Sequence, residues 1–334
     1  MMRTLVMNIS FLRGMLSGVA GMLFSCSVWA DAPAVIRMGV LAGGSASWEV
    51  TAAHQQGWDK KAGLDIQTTV LANPDAARIA LQGGSVDVIV TDWIWVARQR
   101  EMGRDFSFYP YSSHQGVLLV PEDSSIGSIS DLVGKKLGVV GGGLDKNWLL
   151  LRAAARKQSG LDLDARVEKV FGAAPLLQQQ FESGQLDALL TQWHYAARLE
   201  HEGYRRLLDG SELLREQAID PHIASLGFVF SEAWGMQSAS SLGSLIDLLA
   251  RANEGLCHDD GVWAGIVEQL QTAEPDVRQR LRSGYCRGRE TLLGRVQEDY
   301  AQKLYLLLRD VDQKKEGLAL PVKGIPPGTF WRGQ

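Results

Sequence analysis

The sequence predicts an α/β protein built as two similar lobes, and three observations carry that reading. First, GSVDVIVTDWIWVAR (residues 84–98) has an ungapped echo 100 residues later in GQLDALLTQWHYAAR (184–198), sharing Gly84/Gly184, Asp87/Asp187, Thr91/Thr191, Trp93/Trp193, Ala97/Ala197 and Arg98/Arg198. Each copy reads as a short buried strand rich in Val, Ile and Leu, then a tight turn, then a helix whose first turn carries a tryptophan and which ends at Gly103 or Gly203. Second, the order strand, Gly-rich turn, helix, strand, Pro-containing helix precedes both copies. Third, 334 residues are too many for one small core and suit two α/β domains.

The elements follow in order. VIRMGVL (35–41) is a first buried strand and AGGSASWEV the turn after it; a helix then runs to Gly63, and LDIQTTVL (64–71) is the second strand. NPDAARIALQGG opens a helix with Pro74 in its first turn and hands over at Gly83 and Gly84 to the first copy. FSFYPY and QGVLLV are further strands. The order then restarts: a short helix capped near Ser130, the strand KLGVV, the turn GGG (141–143), the helix LDKNWLLLRAAARKQSG, the strand RVEKVF, the helix AAPLLQQQFESG and the second copy. Beyond HIASLGFVF the chain reads as amphipathic helices over 241–256, 262–271 and 289–309, closing on an irregular Pro/Gly-rich tail.

The first 30 residues carry Arg3 and Arg13 as their only charges, an apolar stretch over 14–24, and Val28 and Ala30 as a small-residue cleavage signal. This is the pattern of a secretory signal peptide cut after Ala30. It is favoured over a membrane anchor because the apolar run is short and interrupted by glycine. A lipoprotein acylated at Cys26 is disfavoured by the bulky Phe24. The whole chain has a formal charge of −4, and losing two arginines with the signal makes the remainder more acidic. That balance gives no basic surface for nucleic acid. Cys257 and Cys286 then remain, a candidate disulfide in an oxidising compartment. Neither a CxxC pattern nor a metal spacing occurs among the histidines, and GVVGGG lacks the dinucleotide-binding register. No cofactor is expected.

AHQQGWDKKAGLDI (53–66), ALQGGSVDVIVTD (80–92) and VPEDSSIGSISDLVGKKLGVVGGG (120–143) together resemble the substrate-binding proteins of ABC transporters of the nitrate, sulfonate, taurine and thiamine-precursor group. The resemblance covers most of 35–230. It implies a type II periplasmic binding fold: two α/β lobes, two crossover strands acting as a hinge near 114–120 and 223–230, and a ligand trapped between lobes. The implied division is a signal peptide over 1–30, a first lobe from 31–114 and 225–334, and a second lobe over 115–224. The implied protein is a periplasmic monomer without catalysis that captures a small organic molecule of sulfonate, amine or heteroaromatic type and presents it to an inner-membrane ABC permease. Two alternatives remain open. One is a periplasmic accessory or sensor protein of the same fold that serves a redox enzyme. The other is an enzyme like the thiamine-pyrimidine synthases, which should instead be intracellular and carry a cysteine-rich iron motif.

The strand-to-helix turns supply the candidate ligand-binding residues, because ligands of open α/β sheets sit at the carboxyl ends of strands beside free helix N–H groups. Ser45, Ser47 and Trp48 follow the first strand; Thr91, Asp92 and Trp93 belong to the first copy. Gly142, Gly143, Asn147 and Trp148 follow the glycine turn, and Gln192 and Trp193 belong to the second copy. His114 joins them at the expected hinge. Four of the chain's 10 tryptophans fall at these junctions, which predicts an aromatic-lined cleft. Asp92 and Asp145 favour a ligand with a cationic or hydrogen-bond-donating part, or else serve as helix N-caps. An anion held by helix N-termini and backbone amides fits the same turns.

Overall fold

Short runs of Val, Ile, Leu and Phe form two five-stranded sheets in the computed structural model, which describes residues 32–289, 291, 295–312 and 324–333. The proposed signal peptide, its cleavage site and Cys26 lie outside the described residues. The strands are β1 (Ala34–Leu41), β2 (Leu64–Leu71), β3 (Val88–Asp92), β4 (Phe106–Ser112), β5 (Gly116–Val120), β6 (Lys136–Val140), β7 (Glu168–Gly172), β8 (Ala188–Gln192), β9 (Arg205–Asp209) and β10 (Leu226–Ser231). The first sheet has the order β2-β1-β3-β10-β4 and the second β7-β6-β8-β5-β9. In each, three strands are parallel, and a fourth, arriving from the other lobe, runs antiparallel beside the strand of the repeated phrase.

The echo in the sequence marks equivalent places in the two sheets. Asp87 accepts the backbone N–H of Arg37 at 2.9 Å and donates its own N–H to the Arg37 carbonyl at 2.7 Å. Asp187 repeats the arrangement with Lys136, at 2.7 Å and 2.9 Å. A carboxylate just ahead of each strand thus extends the ladder by a charge-assisted bond, which fixes the register of a neighbour joined only through a distant crossover.

The turn after β1 is shorter than the sequence suggests. A helix already begins at Ser45 and runs to Gln55, and Gly57, at φ 64°, separates it from the short helix Trp58–Lys61. Among the elements without a clear signal are the edge strand β9 and the helix Pro275–Gly288. Mean polarity hides both, since RRLLD lacks alternation and the helix is arginine-rich.

The chain passes between the sheets through Ser113–Gln115 and again just ahead of β10. The two crossings are bonded to each other. Ser225 N–H donates to the Ser112 carbonyl at 2.9 Å, and the Gln115 amide donates to the Ser225 hydroxyl. The C-terminal segments then grip both lobes. Helix Pro275–Gly288 packs on helix Ala239–His258 and on helix Trp193–His201 of the second lobe. Helix Arg295–Asp312, which the sequence division places with the first lobe, packs on helix Lys146–Ser159 of the second. Arg152 and Arg156 donate to the carbonyls of Val311 and Asp310 at 3.1 Å and 2.9 Å. The tail returns to β4, where Phe108 exchanges backbone bonds of 2.8 Å with Thr329 and Trp331. A disulfide joins Cys257 to Cys286 with Cα atoms 5.8 Å apart, tying helix Ala239–His258 to helix Pro275–Gly288.

Candidate functional site

The carboxyl ends of β1, β3, β6 and β8 face one another across a cavity of about 140 Å³. That placement follows from the parallel core of each sheet, which turns every strand-to-helix junction to the same edge. Ser45 opens the helix after β1, Thr91 and Asp92 end β3, Lys146 and Asn147 open the helix Lys146–Ser159 after β6, and Gln192 ends β8 where Trp193 opens the helix Trp193–His201. The crossing residues His114 and Gln115 close the cavity at the hinge side, and Tyr111 adds a ring from β4.

Both acidic residues at the rim are helix caps. Asp92 accepts the N–H of Trp95 at 2.8 Å and, with its other oxygen, the Arg78 guanidinium at 2.6 Å. Arg78 also donates to the Thr91 hydroxyl at 3.1 Å. Asp145 accepts the N–H groups of Asn147 and Trp148 at 2.9 Å and 3.2 Å, and burial raises its pKa despite the neighbouring Lys146 charge. Asp92 is thereby engaged through both carboxylate oxygens, and Asp145 through one.

Lys146 is the unusual group. It is buried, yet its ammonium donates to two amide oxygens, Gln115 at 2.9 Å and Asn147 at 3.1 Å. Among the described residues it forms no ion pair with a carboxylate. Burial depresses its pKa, opposed by the charges of Asp145, Asp92 and Asp209. An amine placed so lacks a full counter-charge, and its third proton is not matched to a protein acceptor. The buried Thr191 hydroxyl lines the same cavity without a hydrogen-bond partner among the described residues.

The structure brings Ser45, Thr91, Asp92, His114, Asn147, Gln192 and Trp193 to this cavity. It separates from it the others named by sequence. Ser47 turns its hydroxyl back onto the Gly44 carbonyl at 2.7 Å. Gly142 and Gly143 form the turn after β6 but lie outside the lining. Three of the four junction tryptophans are core residues with no more than 1% exposure, which corrects the expectation of an aromatic-lined cleft. Trp48 packs edge-on to Trp263 at 6.1 Å, Trp93 packs on Tyr305 and Phe330, and Trp148 lies under the Arg152 guanidinium. The reason is geometric: successive helical residues point about 100° apart, so a first-turn tryptophan faces ligand or core according to how its helix is rotated. Asn147, although at the cavity, is largely committed to the hinge, since its carbonyl accepts the Gly116 N–H at 2.7 Å.

Sequence reasoning missed Arg78, Tyr111, Gln115, Lys146 and Thr191. Two of them left a signal: Thr191 is the echo of Thr91, and Lys146 lies between the noted Asp145 and Asn147. Among the described residues no group of three or more His, Cys, Asp or Glu side chains could hold a metal ion.

Residues 47–255 match the family described as NMT1/THI5 like. Among curated proteins none matches the sequence. Solved structures share the fold. The alkanesulfonate-binding protein SsuA from Xanthomonas axonopodis pv. citri, bound to MOPS, has a TM-score of 0.71 at 20% identity, with 91% of this chain and 100% of that one covered. The periplasmic aliphatic sulphonate binding protein SsuA from Escherichia coli has a TM-score of 0.63 at 20% identity, covering 85% and 95%. The Candida albicans CA3427 product, described as having the generic periplasmic binding protein fold, scores 0.60 at 12% identity, covering 85% and 92%. At these identities the likeness establishes a periplasmic binding protein fold.

Proposed function

The chain belongs to the NMT1/THI5-like family, and from that premise we propose that it is the periplasmic solute-binding component of an ABC importer, whose ligand is a small organic anion captured between the lobes. The observation that carries the charge of the ligand is Lys146, a buried ammonium that lines the cavity and donates only to amide oxygens, without a carboxylate in ion-pair contact among the described residues. An anionic head group would complete its pairing, with the Thr191 hydroxyl as a second donor and the Trp193 ring against the remainder of the molecule. Of the three ligand types open from sequence, a sulfonate or another organic anion fits this lining better than an amine, because the Lys146 ammonium lines the cavity and both oxygens of Asp92 are already engaged.

Lys146 also connects the ligand to the hinge. Its Nζ holds Gln115, and Gln115 bonds Ser225 on the second crossing. An anion drawn to the ammonium would thus act on both crossings at once, a route by which occupancy favours one lobe arrangement for the permease to recognise.

A thermal-shift screen of the purified protein tests the reading, with alkanesulfonates, taurine, nitrate and carboxylates set against quaternary amines and neutral heteroaromatics. A dose-dependent rise in melting temperature with anions alone is expected, since any ligand of the native state stabilises it by mass action. A rise with amines alone would overturn the anion assignment. No rise with any compound would favour the accessory-protein alternative.

A further inference from the structure

Behind the hinge, on the other side of His114 and Trp193, lies a second and larger cavity of about 470 Å³. One wall comes from the second lobe, including helix Gly210–Glu216, and the other from helix Pro275–Gly288. Four arginines line it: Arg206, Arg215, Arg280 and Arg287. Arg206 is occupied, pairing with Glu200 at 2.5 Å and Asp209 at 2.9 Å, and those are the carboxylates of the lining. Arg215, Arg280 and Arg287 are exposed and form no ion pair or hydrogen bond among the described residues.

This concentration does not follow from composition, because the chain as a whole has a formal charge of −4. Three unpaired guanidiniums around one concavity repel one another and create a local positive potential that gathers anions. The spacing narrows the class of ligand. Arg280 and Arg287 are seven residues apart on one helix, so they share a face about 10 Å apart along its axis. Guanidiniums spread over two turns of this helix and on the facing wall suit a molecule with several anionic groups better than a single small anion. Guanidinium forks match the paired oxygens of phosphate and carboxylate groups. Ser283 adds a hydroxyl donor from helix Pro275–Gly288.

We propose that this rear cavity is a second binding site, distinct from the interlobe cavity, for a small polyanion such as a polyphosphate or a polycarboxylate. A bound polyanion would bridge the second lobe to helix Pro275–Gly288, which spans the hinge.

The test is calorimetric titration of the purified protein at low ionic strength with tripolyphosphate and, separately, citrate. Saturable binding of at least one is expected, and the tighter of the two identifies the anionic group preferred. The double variant R280Q/R287Q should lose affinity tenfold or more while keeping the wild-type unfolding midpoint. R215Q should lose a smaller factor, and K146M, in the other cavity, should bind as wild type. Absence of saturable binding would overturn the proposal. So would unchanged affinity in R280Q/R287Q, or a loss in K146M matching theirs, which would move the anion to the interlobe cavity. The outcome is independent of the solute screen, since the two sites are probed by different variants.

Discussion

His114 and Trp193 lie ring on ring, with centroids 4.2 Å apart and planes 18° from parallel, and together they separate the interlobe cavity from the arginine-lined one behind it. The histidine belongs to a crossing and the tryptophan to the second copy of the repeated phrase. His114 Nε2 meets the Gly284 carbonyl at 2.9 Å and Nδ1 meets the Ser112 hydroxyl at 2.7 Å. Trp193 also lies edge-on to Trp48 of the first lobe at 6.0 Å. One stacked pair therefore joins a crossing, both lobes and helix Pro275–Gly288.

The repeated tryptophans should behave differently when removed. Trp93→Ala leaves a hole in the core and should cost about 3–5 kcal/mol of stability while ligand affinity stays close to wild type. Trp193→Ala should reduce affinity by tenfold or more as well as lowering stability, and Trp193→Phe should restore part of both. Denaturant melts and ligand titrations on the three variants check this; equal affinity in Trp193→Ala and wild type would remove Trp193 from the site.

Lys146→Met separates binding from folding. Replacing a buried charge by an apolar side chain of similar length is often neutral or stabilising, so the melting temperature should hold or rise. Affinity for an anionic ligand should fall at least tenfold. A variant that unfolds readily but binds normally would make Lys146 a structural group of the hinge.

Acid should weaken the fold before the carboxylates titrate. Burial pushes the pKa of both His114 and His194 down to about 3 from the usual 6.5, with nearby arginines adding to the effect. Unfolding lets the rings take up protons that the folded state refuses, so stability is full above pH 6.5 and declines as pH falls from there towards 3. Melting temperatures between pH 7 and 5 should show the decline, and His114→Gln with His194→Gln should flatten it. The same slope in the double variant would assign the decline to other groups.

Reduction should loosen the C-terminal helices. The Cys257–Cys286 bridge closes a loop of 29 residues, for which the chain-entropy estimate is about 3–4 kcal/mol. Reductant should lower the melting temperature by several degrees. It should also weaken ligand binding, because Cys286 lies two residues from the Gly284 carbonyl that holds His114. Identical melts with and without reductant, together with two titratable thiols, would show that the bridge does not form in solution.

Much of the architecture was legible in the sequence because it is written locally. Valine- and leucine-rich runs, the proline that opens each second helix and the glycines that close the elements specify strand and helix within a few residues. The repeat announced two lobes because Asp87 and Asp187 perform the same ladder bond in each sheet. The placement of the junction residues at one cavity follows from the parallel order of the strands, which the alternation of elements already implied.

Tertiary structure alone decided which of those residues face the cavity. Trp93 and Trp193 sit in matching phrases, yet one is buried against Tyr305 and Phe330 and the other stacks on His114, because segments far away in the chain cover one junction and not the other. Lys146 likewise reads as an ordinary surface lysine until the crossing strand brings Gln115 over it and removes it from water. Local sequence determines the element and its face; what packs against that face is set by contacts with other elements, 31 or more residues distant in these cases, and burial, charge and ligand chemistry follow from them.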